Sequence, residues 1–181
     1  LNHTNILKAD HFDRDGNIPY LVMKFCGGGS LDKKIGRMEN EDVLKVIKDM
    51  ASGLSYLHQC NIVHQDIKPA NILIDDSSGT PVYVLSDFGI SSKTKTRLSH
   101  SVNQKNQGTS MTEAYAPPEK FSSKKEDRRP DRKGDIFSFG ISIYELVTGG
   151  LPFDELSTGR QLQYDDAEVD FDDIEDETIR D

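Results

Sequence analysis

No apolar run in this 181-residue chain approaches the ~18 residues of a membrane-spanning helix, so no membrane segment is evident in it. No signal peptide is visible either. The two cysteines, Cys26 and Cys60, are too few for a disulfide framework, which points to a reducing, cytoplasmic setting. Apolar residues are scarce at 35%, and a mean hydropathy of −0.60 implies long solvated loops rather than a uniformly compact chain. A platform of interleaved basic and aromatic residues is lacking and the net charge is −9, which argues against nucleic-acid binding. There is no internal repeat.

What is present fits one domain. Charge is unevenly spread. Residues 154–181 hold twelve acidic side chains against Arg160 and Arg180, whereas Lys120, Lys124, Lys125, Arg128, Arg129, Arg132 and Lys133 make residues 120–133 basic. Solvated loops and helix faces account for such runs; an acidic surface that favours basic substrates is the functional alternative.

Val43, Val46, Ile47, Met50, Leu54 and Leu57 recur at helical spacing, predicting a long amphipathic helix over residues 40–59. The apolar run 18–25 predicts a buried strand, and Gly27-Gly28-Gly29 breaks it. Ser30 is a candidate N-cap for a short helix. Short strands are expected at 62–63, 72–74 and 82–85, with a turn over 75–81. Residues 93–110 are polar and aperiodic, the pattern of a mobile loop. Residues 134–147 are apolar nearly all round, so a helix there is expected to be buried on every side.

The chemistry concentrates in His64-Gln65-Asp66-Ile67-Lys68-Pro69-Ala70-Asn71 and, sixteen residues after Asn71, Asp87-Phe88-Gly89. An H-x-D-x-x-x-x-N loop followed by D-F-G suits phosphoryl transfer. A hydroxyl nucleophile needs a carboxylate to orient it and take its proton, which Asp66 fits. Magnesium is a hard cation that takes oxygen ligands, which Asn71 and Asp87 supply.

Four further blocks follow the same order as those of the protein kinase family. Tyr115-Ala116-Pro117-Pro118-Glu119 resembles the A-P-E end of the activation segment. Asp135-Ile136-Phe137-Ser138-Phe139-Gly140 resembles the start of the central helix. His3-Thr4-Asn5-Ile6 resembles the turn before the fourth strand of the small lobe, and Tyr20-Leu21-Val22-Met23-Lys24-Phe25-Cys26 the fifth strand and hinge. The six blocks cover essentially the whole chain. The resemblance implies an α+β, protein-kinase-like fold with a mainly helical large lobe, short strands and a truncated small lobe. Residues 1–25 would be the remnant of the small lobe with the hinge strand, and 26–181 the large lobe, C-terminally incomplete.

The resemblance further implies a Ser/Thr protein kinase using ATP and Mg²⁺ on a protein substrate. Asp66 would be the base. Lys68, characteristic of the Ser/Thr branch, would neutralise the transferred phosphoryl group. Asn71 and Asp87 would hold the metal. Thr112, seven residues before Glu119, stands where the family has a Thr bracing Asp66 and Lys68; Gly108-Thr109 sits three residues too early. The Lys24 carbonyl and Cys26 amide would meet adenine, with Met23 as gatekeeper, Leu73 beneath the ring, and Ser30 in the nucleotide-binding set. For Met23 alone, ordinary core packing is the other reading. Asp135 would hold the catalytic-loop backbone or, failing that, only complement its helix dipole. His64 and Phe88 would join the large lobe's hydrophobic spine.

Gln65 departs from the family's Arg, and a neutral amide cannot make a bidentate charge-assisted pair with phosphate. The G-x-G-x-x-G loop, the third-strand Lys and the αC Glu are not in the chain, so the chain alone is expected to be inactive and the complete protein active. A pseudokinase or scaffold, and a small-molecule phosphotransferase of kinase-like fold, remain as alternatives. The full set of large-lobe groups speaks against the first, the A-P-E block and the D-x-x-S-F-G helix against the second.

Overall fold

The computed structural model describes residues 1–87, 113–124, 126, 128–153, 168–172, 174 and 176–180. Among them are two two-stranded antiparallel sheets and two long helices, an α+β arrangement. Helix α1, Asn40–Gln59, is the organising element. Its stripe Val43, Val46, Met50, Leu54 and Leu57 is almost wholly withdrawn from solvent. Each such side chain contributes about 1.5–3 kcal/mol on full burial. The helix ends where Asn61 takes a left-handed φ of 57° and the Ile62 amide turns back to the Leu57 carbonyl.

Strands β1, Ala9–Asp15, and β2, Ile18–Met23, form one hairpin; β3, Ile72–Asp75, and β4, Val82–Leu85, form the other. The second sheet lies on α1. Ile72, Ile74, Tyr83 and Leu85 enter the same core as the helix stripe. The Leu7 amide donates to the Leu85 carbonyl and the Leu85 amide to the Asn5 carbonyl, which stitches residues 5–7 along β4.

The first hairpin corrects the expected buried strand at 18–25. It ends at Met23, and every residue of β1 and β2 is exposed, because among the described residues the two strands pack chiefly on each other. Met23 is therefore not a core residue, and Phe25 is 87% exposed. β1 follows residues 3–6, where the resemblance implied a fourth small-lobe strand without giving its bounds. Its turn is the two-residue loop Gly16-Asn17: Gly16, at the first central position, has φ +58°, and Asp15 pairs with Ile18 across it.

Helix α2, Arg132–Thr148, crosses near α1 and places Ile143 and Leu146 in the main core. It is not buried on every side: Ile136 is exposed. Its most buried positions include Asp135, Ser138 and Ser142, whose polar groups are all used. The serine hydroxyls donate to carbonyls one turn back, Ser138 to Gly134 and Ser142 to Ser138. A short helix α3, Glu177–Arg180, lies near the C-terminus, where Ile179 packs on the core.

Residues 62–63 are not a strand; they lead into the loop that carries the candidate catalytic groups. Ser30 stands at the N-terminus of a single 3-10 turn, Leu31–Lys34, but its hydroxyl donates to Asp32 and does not cap the backbone. The segments 93–110 and 154–166, together with Phe88 and Thr112, lie outside the described residues. No helix among the described residues is long and apolar enough to cross a membrane.

Candidate active site

The loop 62–71 is held from below by Asp135. This carboxylate, 1% exposed, accepts the His64 amide on Oδ2 and the Gln65 amide on Oδ1, both at 2.8 Å, and His58 Nε2 donates to Oδ2 at 2.8 Å. A buried carboxylate with three donors is compensated for its lost hydration. Gln65 takes a left-handed φ of 69°, a conformation that costs a non-glycine residue of order 1–3 kcal/mol and persists only where the surroundings over-determine it. Asp135 supplies that constraint, so it does more than complement a helix dipole.

His64 fixes the next residues. Its Nε2 faces the Ser86 carbonyl at 2.8 Å and its Nδ1 faces the Asp66 amide at 3.3 Å. A carbonyl can only accept and an amide N–H can only donate, so the ring is neutral with the proton on Nε2. Burial pushes its pKa down, which agrees.

Asp66, Lys68 and Asn71 converge. Lys68 Nζ lies 3.1 and 3.3 Å from the Asp66 carboxylate oxygens. Asn71 Nδ2 donates to the Asp66 carbonyl at 2.7 Å and to Oδ2 at 3.2 Å. Asp66 and Lys68 side chains are 17% and 19% exposed, open enough to meet a ligand but not free to wander. The Asn71 carbonyl accepts both the amide and the hydroxyl of Ser86, so the residue preceding Asp87 is fixed to the same loop. Asp87 itself is exposed, with φ 59°.

The other sequence candidates form a second group. Cys26 is buried with Leu7 and Val84, and Leu73 packs on this cluster. Burial raises the Cys26 thiol pKa. Ser30 forms a single bridge to Leu73. The hinge glycines lie flat on β3: the Gly28 amide donates to the Ile74 carbonyl, the Ile74 amide to the Gly29 carbonyl, and a Cβ at Gly28 would come within 2.7 Å of the Ile74 side chain. Met23 stands apart from this cluster, on the exposed hairpin.

Three contacts were not anticipated. His58 reaches Asp135, Lys24 reaches Asp75, and the Tyr115 hydroxyl donates to Glu145 of α2 at 2.6 Å. Burial raises the pKa of both Tyr115 and Glu145, so the phenol keeps its proton and the pair docks the segment 113–121 on α2. These partners lie 30 to 77 residues apart, beyond the reach of local pattern.

A family model described as the protein kinase domain matches residues 1–179. Inhibitor of nuclear factor kappa-B kinase subunit alpha of Xenopus tropicalis is 31% identical over 166 residues, 84% of this chain and 21% of that protein. Calcium-dependent protein kinase 5 of Plasmodium berghei is 34% identical over 157 residues, 84% of this chain and 26% of that protein. The chain thus spans about a quarter or less of these curated relatives. A crystal structure of Rad53 1-466 in complex with AMP-PNP superposes with a TM-score of 0.64 at 26% identity, covering 90% of this chain and 39% of that one. Motif order, the fold and the match over residues 1–179 agree, and the chain belongs to the protein kinase family.

Proposed function

We propose that the complete protein carrying this chain is a Ser/Thr protein kinase that moves the γ-phosphate of ATP to a protein hydroxyl. The observation that carries this reading is the hydrogen-bonded group Asp66, Lys68 and Asn71 on a loop fixed by Asp135. Asp66 orients the substrate hydroxyl and accepts its proton as the oxygen bonds to the γ-phosphorus; the bond from that phosphorus to the β–γ bridging oxygen breaks, and ADP leaves. Lys68, beside the same carboxylate, offsets charge on the phosphoryl oxygens and marks the Ser/Thr branch. Thr112 is proposed to brace both.

Asn71 spends its amide nitrogen on Asp66, which leaves the carboxamide oxygen as its function toward a cation; Asp87 adds an exposed carboxylate. Two oxygen donors suit Mg²⁺, which takes one or two protein groups and completes its shell with phosphates and water. Among the described residues no cluster of three acidic, His or Cys side chains offers a self-sufficient metal cage, consistent with a cation that arrives with nucleotide. Bound there, Mg²⁺ would supply charge neutralisation on the phosphates.

ATP is proposed to lie between the hinge, through the Lys24 carbonyl and Cys26 amide, and Leu73, with Met23 as gatekeeper and Ser30 at the edge. The likeness to an AMP-PNP complex supports a nucleotide site. Residues 1–25 would then belong to a small lobe with its hinge strand and 26–181 to a large lobe. The free thiols Cys26 and Cys60 support a reducing, cytoplasmic setting, and the acidic residues 154–181 support basic protein substrates. The test is phosphoamino-acid analysis of a generic basic protein incubated with γ-labelled ATP and Mg²⁺. Phosphoserine and phosphothreonine are expected; mainly phosphotyrosine would contradict the assignment.

A further inference from the structure

Lys24 reaches away from its own strand. Its Nζ donates to Asp75 Oδ2 at 2.5 Å and to Ser77 Oγ at 2.9 Å, although more than fifty residues separate the partners. Asp75 ends β3 and is only 15% exposed on its side chain. Its other oxygen, Oδ1, accepts the Ser77 amide at 3.2 Å, so the carboxylate is aimed by its own turn before Lys24 arrives. The contact raises the Lys24 pKa and lowers that of Asp75. Asp76 follows, with its carboxylate against Gly27. Backbone pairing of the hinge with β3 begins only at Gly28. Between the exposed end of β2 and Gly28, the apolar seat of Cys26 and the ammonium of Lys24 tie the hinge to the second sheet.

We propose that the Lys24 side chain is a positioning residue of the nucleotide site, a clamp from the hinge to the Asp75–Ser77 turn that fixes where residues 24–26 present their backbone to adenine. This rests on the ATP-site reading above and deepens it: the backbone would make the contact and the side chain would set its place. A clamp of this kind acts on nucleotide binding before and after transfer alike, so it moves KM for ATP and leaves kcat in place. An ion pair with one exposed partner supports a change of about two- to five-fold.

The experiment is a charge-swap cycle in the complete protein. Asp75→Lys and Lys24→Asp are each expected to raise KM for ATP about two- to five-fold at unchanged kcat, and the swapped double variant to return most of it. Dissociation of a fluorescent ADP analogue should move in step. Should Asp75→Lys fail to fold, Asp75→Asn with Lys24→Met closes the same cycle, because Asn keeps the acceptor for the Ser77 amide. Wild-type KM in the single variants, or a swap no better than the sum of its parts, overturns the clamp while leaving the kinase reading intact. Absence of ATP-dependent transfer and of ADP-analogue binding in the wild type overturns both.

Discussion

The side-chain amide of Asn71 grips Asp66 twice, at the backbone carbonyl and at the carboxylate. One residue thereby fixes both the course of the loop and the direction of the Asp66 carboxylate. Reactions that depend on orientation lose about 10²-fold from a displacement near 1 Å.

Asn71→Ala is accordingly expected to lower kcat about 10²-fold, and saturating Mg²⁺ should not restore it, because the loss lies in the aim of Asp66. Rates measured across a Mg²⁺ titration check this. Full recovery at high Mg²⁺ would show that Asn71 acts through the metal alone.

His64 makes the loop sensitive to acid. In the unfolded chain its pKa is near the ordinary ~6.5; in the fold, burial lowers it. The unfolded state therefore binds the proton more readily. The contribution of neutral His64 is fully present above pH ~6.5 and is lost as pH falls below it toward the lowered folded value. Protonation would also remove the Nδ1 acceptor of the Asp66 amide. Urea midpoints are expected to fall as pH drops below ~6.5, and His64→Gln, which can still donate to the Ser86 carbonyl, should flatten that fall. An equal pH dependence in both proteins would place the titrating group elsewhere.

Helix α1 was legible to the residue, since a stripe at 43, 46, 50, 54 and 57 leaves one way to bury it. The loop 62–71 was legible as motif, and Asp135 as its anchor, because short polar blocks in order leave few readings. The exposure of the first hairpin was not. An apolar run records that a strand is built to be covered but not what covers it, and β1 with β2 meet little besides each other among the described residues. The all-apolar reading of α2 failed at Ile136 for the same reason. The Lys24–Asp75 and Tyr115–Glu145 pairs carry no local signal; the fold alone brings them together.

Gln65 bears on regulation. Its backbone is held by Asp135 while its side chain carries no charge to grip a phosphate. Turnover is expected to survive phosphatase treatment nearly unchanged, whatever the phosphorylation state of Ser99, Ser101, Thr109 or Ser110. Arg128 and Arg129 line the same small cavity as Gln65. If dephosphorylation abolishes turnover, those arginines are the first to replace, and independence from phosphorylation is refuted.

The central claim is that Asp66 serves as the base of a phosphoryl transfer. The direct measurement is γ-phosphate transfer by the complete protein and its Asp66→Asn variant, with nucleotide affinity determined beside it. Removing a positioned base costs ~10²–10⁴-fold in rate. The account predicts a loss of that size with nearly unchanged affinity in Asp66→Asn, and weakened metal–nucleotide binding in Asp87→Asn. Transfer by Asp66→Asn at the wild-type rate, or equal loss of affinity in both variants, would contradict it.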